Sequence, residues 1–137
     1  MKEGFSIVTE VVLPSDYQSL IEVEKIVGDV CDEFGVQEDA FGNVLIAVSE
    51  AVNNAIQHGN KNNPEAKVEI KVANQDDTFC IQVKDQGPGF SYQDLPDPTA
   101  PENLLKDSGR GVFLMKNLAD EVEFQNTGST VNLYFHK

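Results

Sequence analysis

Phe41, Val44, Leu45, Val48, Ala51, Val52, Ala55 and Ile56 recur at steps of one, three and four residues, and the run stops at Gly59. That spacing lines one face of an α-helix with apolar side chains and leaves the rest polar. A stripe this continuous has to be covered, and the following segments say by what. Val68, Ile70 and Val72 alternate with polar residues, as do Phe79, Ile81 and Val83 after the Gln75-Asp76-Asp77 turn, which predicts a hairpin of two half-buried strands. The helix must therefore pack on a sheet.

The rest of the chain extends this pattern. Phe5 to Leu13, rich in Val, Ile and Thr and stopped by Pro14, predicts an opening strand. Leu20, Val23, Val27, Val30 and Phe34 give a first helix that ends at Gly35. Asp85 to Ser108 carries Pro88, Pro96, Pro98 and Pro101 without a sustained period. It predicts a long loop, which compact domains usually keep for function. Gly109 to Ala119 predicts a further helix, and Val122 with Phe124, then Val131, Leu133 and Phe135 around Thr127-Gly128, a closing hairpin. The order βααββ, loop, αββ predicts an α+β fold: a two-layer sandwich with a mixed, mainly antiparallel sheet and helices on one face. With 137 residues the chain is expected to form one domain, residues 1–137.

A formal net charge of -13 disfavours broad neutralisation of phosphates, so direct nucleic-acid binding is not expected. An anionic ligand would have to be held by backbone N–H groups, a metal ion and a few local cations. Cys31 and Cys80 fall in apolar stretches and read as buried free thiols. Met1-Lys2-Glu3-Gly4 lacks the basic-then-apolar order of a secretory leader, and no apolar run is long enough for a bilayer. A cytoplasmic location without a membrane partner is the expectation.

Three segments carry candidate chemistry. Glu50, Asn54 and His58 are four residues apart on the second helix and share one stripe. Asn is a poor helix former, so Asn53-Asn54 in a helix interior suggests a use, and an amide carbonyl is a neutral hard ligand suited to Mg²⁺. Asp85-Gln86-Gly87-Pro88-Gly89-Phe90 follows a strand; its glycines permit a sharp turn, and its carboxylate can accept a hydrogen bond from an exocyclic amine such as that of adenine. Ser108-Gly109-Arg110-Gly111-Val112-Phe113 opens a helix, where free N–H groups and the dipole favour phosphate. Each has an ordinary explanation alone: a solvated helix face, a common turn, a Ser N-cap. Their order and structural contexts in one chain favour one nucleotide site.

At these residues the sequence resembles the GHKL ATPase superfamily over nearly its whole length. Glu50 to Gly59 resembles the family's N box, Asp85 to Gly89 its G1 box and Gly109 to Leu114 its G2 box. Glu-Ala-Val-Asn-Asn-Ala and Gly-Arg-Gly-Val-Phe-Leu are most similar to the small bacterial anti-sigma-factor serine kinases. The resemblance implies a Bergerat-type sandwich that binds ATP with Mg²⁺, dimerises, sequesters a sigma factor and phosphorylates a serine on an anti-sigma-factor antagonist. It implies Glu50 as general base, Asn54 as Mg²⁺ ligand, Asp85 as adenine acceptor, and Gly87, Gly89 and Phe90 around the base. Ser108 and Gly109 to Phe113 would cradle phosphate, His58 would border the nucleotide, Thr130 would line the base pocket, and residues 91–108 would form a lid.

Two departures bear on function. Relatives often have a basic residue before the Ser-Gly of the G2 box, where this chain has Asp107, with Lys106 and Arg110 nearby. The first helix is rich in Glu22, Glu24, Asp29, Asp32 and Glu33. The leading expectation is a serine-protein kinase and anti-sigma factor; the alternative is a nucleotide-gated protein-binding module without significant phosphoryl transfer.

Overall fold

The computed structural model describes residues 1–87 and 110–137. Strand β1 (Ser6–Pro14) leads into helix α1 (Ser19–Glu33) and helix α2 (Glu38–Asn54), which continues as a π-helical turn, Ala55–Gly59. Strands β2 (Lys67–Gln75) and β3 (Thr78–Lys84) form the central hairpin. Helix α3 (Arg110–Leu118) precedes β4 (Glu121–Gln125) and β5 (Thr130–His136).

The strand order is β1-β2-β3-β5-β4, and every neighbouring pair among the described strands is antiparallel. The two-layer α+β expectation therefore holds, with the closing hairpin placing β5 rather than β4 beside β3. Consequently β5 is buried from Thr130 through Phe135, as a strand with neighbours on both sides should be.

The register explains the core. Ile70, Val83 and Val131 stand in one row across β2, β3 and β5, and Val72, Ile81 and Leu133 in the next. Period-two alternation turns these residues to one face, where Val44, Ala47, Val48, Ala51 and Val52 of α2 cover them. Val23, Val27 and Val30 of α1 join that core, and Phe79 meets Phe34 and Phe135 at ring-centroid distances of 5.2 and 5.4 Å. Burying each such side chain stabilises the fold by roughly 1.5–3 kcal/mol before entropy is counted. Cys31 and Cys80 are buried free thiols, and burial pushes the Cys80 thiol up to about 12.

The apolar stripe runs to Ile56 as expected, but its last turn widens. The Asn60 N–H donates to the Ala55 carbonyl five residues back, at 2.8 Å, rather than to a carbonyl four back. This carries Asn60 into the corner between the ends of β1 and β2. No helix among the described residues is long and apolar enough to cross a membrane. Most of the long loop, including the expected lid at residues 91–108, lies outside the described residues.

Candidate functional site

Helix α2 is the shared wall of the site. Glu50 and Asn54 lie one turn apart on it, both partly exposed, and the start of α3 is laid against them. The closeness is set by Gly111: a Cβ there would stand 2.8 Å from Asn54 Nδ2, 3.1 Å from Asn54 Oδ1 and 3.1 Å from Glu50 Oε2. Only a glycine leaves room for this approach without displacing those side chains. Val112 and Met115 anchor α3 in the core, while Arg110 and Phe113 remain exposed.

Partial burial pushes the Glu50 carboxyl above its ordinary range, and the Arg110 charge pulls part of the way back. A carboxyl so placed holds a proton more readily than one in water.

The second segment meets the π turn that continues the same helix. Asp85, buried at the end of β3, donates its N–H to the Ser129 carbonyl at 2.9 Å. Its Oδ1 accepts from the Gly87 N–H at 2.8 Å. Burial raises the Asp85 pKa, and that N–H lowers it in part. Gly59 lies directly against the Asp85 carboxyl group, so a Cβ at Gly59 would overlap it; a Cβ at Gly87 would overlap the Gly59 carbonyl. All three segments thus converge on α2 and its π turn: Gly111 at Glu50 and Asn54, Asp85 and Gly87 at Gly59.

His58 sits in the π turn and is exposed. Thr130 is buried opposite Lys84, and its hydroxyl accepts from Asn126 Nδ2 at 3.2 Å. By alternation it lies on the sheet face of Asn132 and Tyr134, whereas Val131 faces the helices. Gly89, Phe90, Ser108 and Gly109, together with Lys106 and Asp107, lie outside the described residues.

Two residues that the motifs did not indicate hold this site. Ser129 supplies the carbonyl that fixes Asp85, a main-chain role that leaves no mark in residue type. Asn60 donates from Nδ2 to Ser15 Oγ at 2.7 Å and to the Lys67 carbonyl at 3.0 Å, and accepts the Gln86 N–H at 2.8 Å. Its only signal in the sequence is an Asn straight after Gly59, which reads as a turn.

The donor set suits Mg²⁺ held jointly by protein and phosphate. Among the described residues no three His, Cys, Asp or Glu side chains gather into a metal cage. A cation beside α2 would take the Asn54 carbonyl oxygen, phosphate oxygens and waters, the arrangement Mg²⁺ commonly adopts.

Comparison with known proteins agrees with this geometry. Residues 13–135 match the histidine kinase-like ATPase domain. The chain is 32% identical to the serine-protein kinase RsbW of Staphylococcus epidermidis over 127 residues, covering 87% of this chain and 79% of the relative. RsbW of Bacillus subtilis strain 168 is 32% identical over 129 residues, covering 89% and 81%. RsbW of Staphylococcus aureus strain JH9 is 33% identical over 140 residues, covering 96% and 86%. With its glycine-spaced walls around α2 and a family match spanning both ends of the sheet, this chain belongs to the histidine kinase-like ATPase domain family.

Proposed function

We propose that this chain is an ATP-dependent serine-protein kinase and anti-sigma factor. It transfers phosphate to a serine on an anti-sigma-factor antagonist and regulates transcription by partner switching with a sigma factor. The observation that carries the reading is the approach of Gly111 to Glu50 and Asn54 on α2, with Asp85 against Gly59 in the π turn that continues the same helix. It is supported by the similarity to serine-protein kinases over most of the chain.

In this reading Asp85 accepts the exocyclic N–H of adenine, and the Gly87 turn lets the base approach. Gly89 and Phe90 complete the base end, with Thr130 and His58 nearby, and Ser108 with Gly109 to Phe113 cradle the phosphates by main-chain N–H groups at the start of α3. Asn54 would hold a Mg²⁺ ion through its amide carbonyl oxygen, and the ion would supply neutralisation of phosphate charge. Glu50 takes the proton of the attacking serine hydroxyl as its oxygen bonds the γ-phosphorus, and the bond from that phosphorus to the bridging oxygen of ADP breaks. Residues 91–108 act as the lid, residues 1–137 act as one domain, the working form is a homodimer, and the location is cytoplasmic.

The test is phosphate transfer from labelled ATP to the cognate antagonist. Transfer to a single serine, abolished by Glu50→Gln, is expected; no transfer from folded, ATP-bound protein rejects kinase activity. The alternative, a nucleotide-gated binding module, is motivated by the exposed acidic residues Glu22, Glu24, Asp29, Asp32 and Glu33 on α1. It predicts partner capture that differs between ATP and ADP without phosphate transfer.

A further inference from the structure

The Asp85-Gln86-Gly87 turn is gripped by a residue that belongs to none of the three motifs. Asn60 is 6% exposed, and its side-chain amide joins three segments of chain. Its Oδ1 accepts the Gln86 N–H, its Nδ2 donates to the Lys67 carbonyl, and the Lys67 N–H in turn donates to Gln86 Oε1 at 2.8 Å. These three residues close a ring of hydrogen bonds. Nδ2 also donates to Ser15 Oγ, whose hydroxyl donates to the Ala66 carbonyl at 2.8 Å, tying the ring to the end of β1.

The ring has a direct consequence for Asp85. The Gln86 N–H bonded to Asn60 belongs to the peptide that leaves Asp85, so it fixes the plane from which the Asp85 side chain projects. The Asp85 N–H is fixed on the other side by Ser129. Gly59, the residue before Asn60, forms the surface against which the carboxyl group lies. Asn60 and Gly59 together therefore set the backbone, direction and seat of one carboxylate. An orphaned N–H would be costly here, so each bond is a real constraint.

We infer that Asn60 is the positioning residue that sets the base selectivity of the nucleotide site, favouring adenine over guanine. The inference rests on the reading of Asp85 as the adenine acceptor. A carboxylate in fixed alignment accepts from the adenine amine and opposes the guanine carbonyl oxygen at the same place. A carboxylate free to rotate discriminates less.

The experiment is isothermal titration of the whole chain with Mg-ATP and Mg-GTP, in wild type, Asn60→Ala, Gln86→Ala and Asp85→Asn, with thermal melting as the check of folding. Asn60→Ala is expected to weaken ATP binding about tenfold while leaving GTP binding nearly unchanged, so the preference falls about tenfold. In steady state KM for ATP rises while kcat at saturating ATP stays within about twofold. A folded Asn60→Ala protein that melts early but keeps the wild-type ATP/GTP ratio overturns the inference. Should Asn60→Ala not fold, Gln86→Ala cuts the same ring at an exposed side chain; a threefold fall in preference, roughly one weakened hydrogen bond, supports the role, and an unchanged ratio overturns it. Asp85→Asn separates the two readings. If it keeps the wild-type ratio, the base assignment of Asp85 fails and takes the role of Asn60 with it; if it loses the ratio while Asn60→Ala and Gln86→Ala keep it, only the role of Asn60 fails.

Discussion

Glu50 and Asp85 are carboxylates along one helical wall, Glu50 in the last turns of α2 and Asp85 against the π turn that continues it, and burial raises the pKa of both. They differ in what opposes that rise. For Glu50 it is the charge of an exposed side chain, Arg110; for Asp85 it is a main-chain N–H fixed 2.8 Å from Oδ1. A carboxylate held by backbone has one orientation and suits recognition. One balanced by a side-chain charge can gain and lose a proton as its surroundings change, which suits chemistry. In the proposed function the same residue class would do two jobs because the fold supports it differently.

Exchanging each carboxylate for its amide breaks or upholds this comparison most directly. Glu50→Gln is expected to lower the rate of phosphoryl transfer by about 10²–10⁴, the usual worth of a general base, while ATP affinity stays within about threefold. Asp85→Asn is expected to do the reverse, weakening ATP binding about 10–100-fold with most of kcat retained at saturation. Parallel losses in both variants, followed by transfer assay and calorimetry, would erase the division of labour.

The next effect is smaller and steric. Gly111→Ala places a methyl group among Asn54 Nδ2, Asn54 Oδ1 and Glu50 Oε2, the ends of two partly exposed side chains that must shift to admit it, at a stability cost of about 0.5 kcal/mol. A lower melting temperature and loss of the Mg-dependent part of ATP binding are expected, because the side chain that must give way is the proposed cation ligand. Unchanged Mg dependence would separate Asn54 from the cation.

Protonation offers a finer contrast. The folded Glu50 pKa is raised, so the acid limb of the transfer rate lies above the ordinary carboxylate range, with activity rising as Glu50 ionises. Arg110→Ala removes the influence that lowers this pKa, so the limb moves to higher pH; a limb that stays in place or moves down assigns it to another group. Stability has the matching sign. A raised folded pKa means the folded chain binds the proton more tightly, so the favourable contribution is full below the unfolded pKa and is lost as pH rises through the folded one. Glu50→Gln should therefore melt slightly higher than wild type at neutral pH, with that advantage vanishing in acid.

What the sequence disclosed, and what it withheld, follows the range of each interaction. The stripe from Phe41 to Ile56 and the alternation in β2 and β3 are local periodicities, and the fold repeats them. Glu50 and Asn54 were legible because a four-residue step is one helical turn. The π turn was not legible, because nothing in Ala55-Ile56-Gln57-His58-Gly59 marks an i→i+5 hydrogen bond in advance. The position of β5 between β3 and β4 depends on pairings such as Ile81 with Leu133, far apart in the chain, so the hairpin was legible but its orientation was not. Asn60 and Ser129 act through hydrogen bonds to main chain brought in from elsewhere, which residue type alone does not encode.

The smallest predicted effect on the site is the control that gives the Gly111 result its meaning. Gly42 also lies in a helix, α2, but a Cβ built on it meets nothing within 4 Å. With no neighbour to displace, Gly42→Ala reduces the conformational freedom of the unfolded chain and leaves native contacts alone. The expected gain is about 0.5–1 kcal/mol, seen as a melting temperature higher by about 2–4 °C, with ATP binding and transfer unaltered. The same substitution thus stabilises at the solvent-facing start of α2 and damages the site where α3 presses on its other end. If Gly42→Ala also weakened nucleotide binding, the cost at Gly111 would be a general response of the helical layer, and the close approach to Glu50 and Asn54 would lose its special standing.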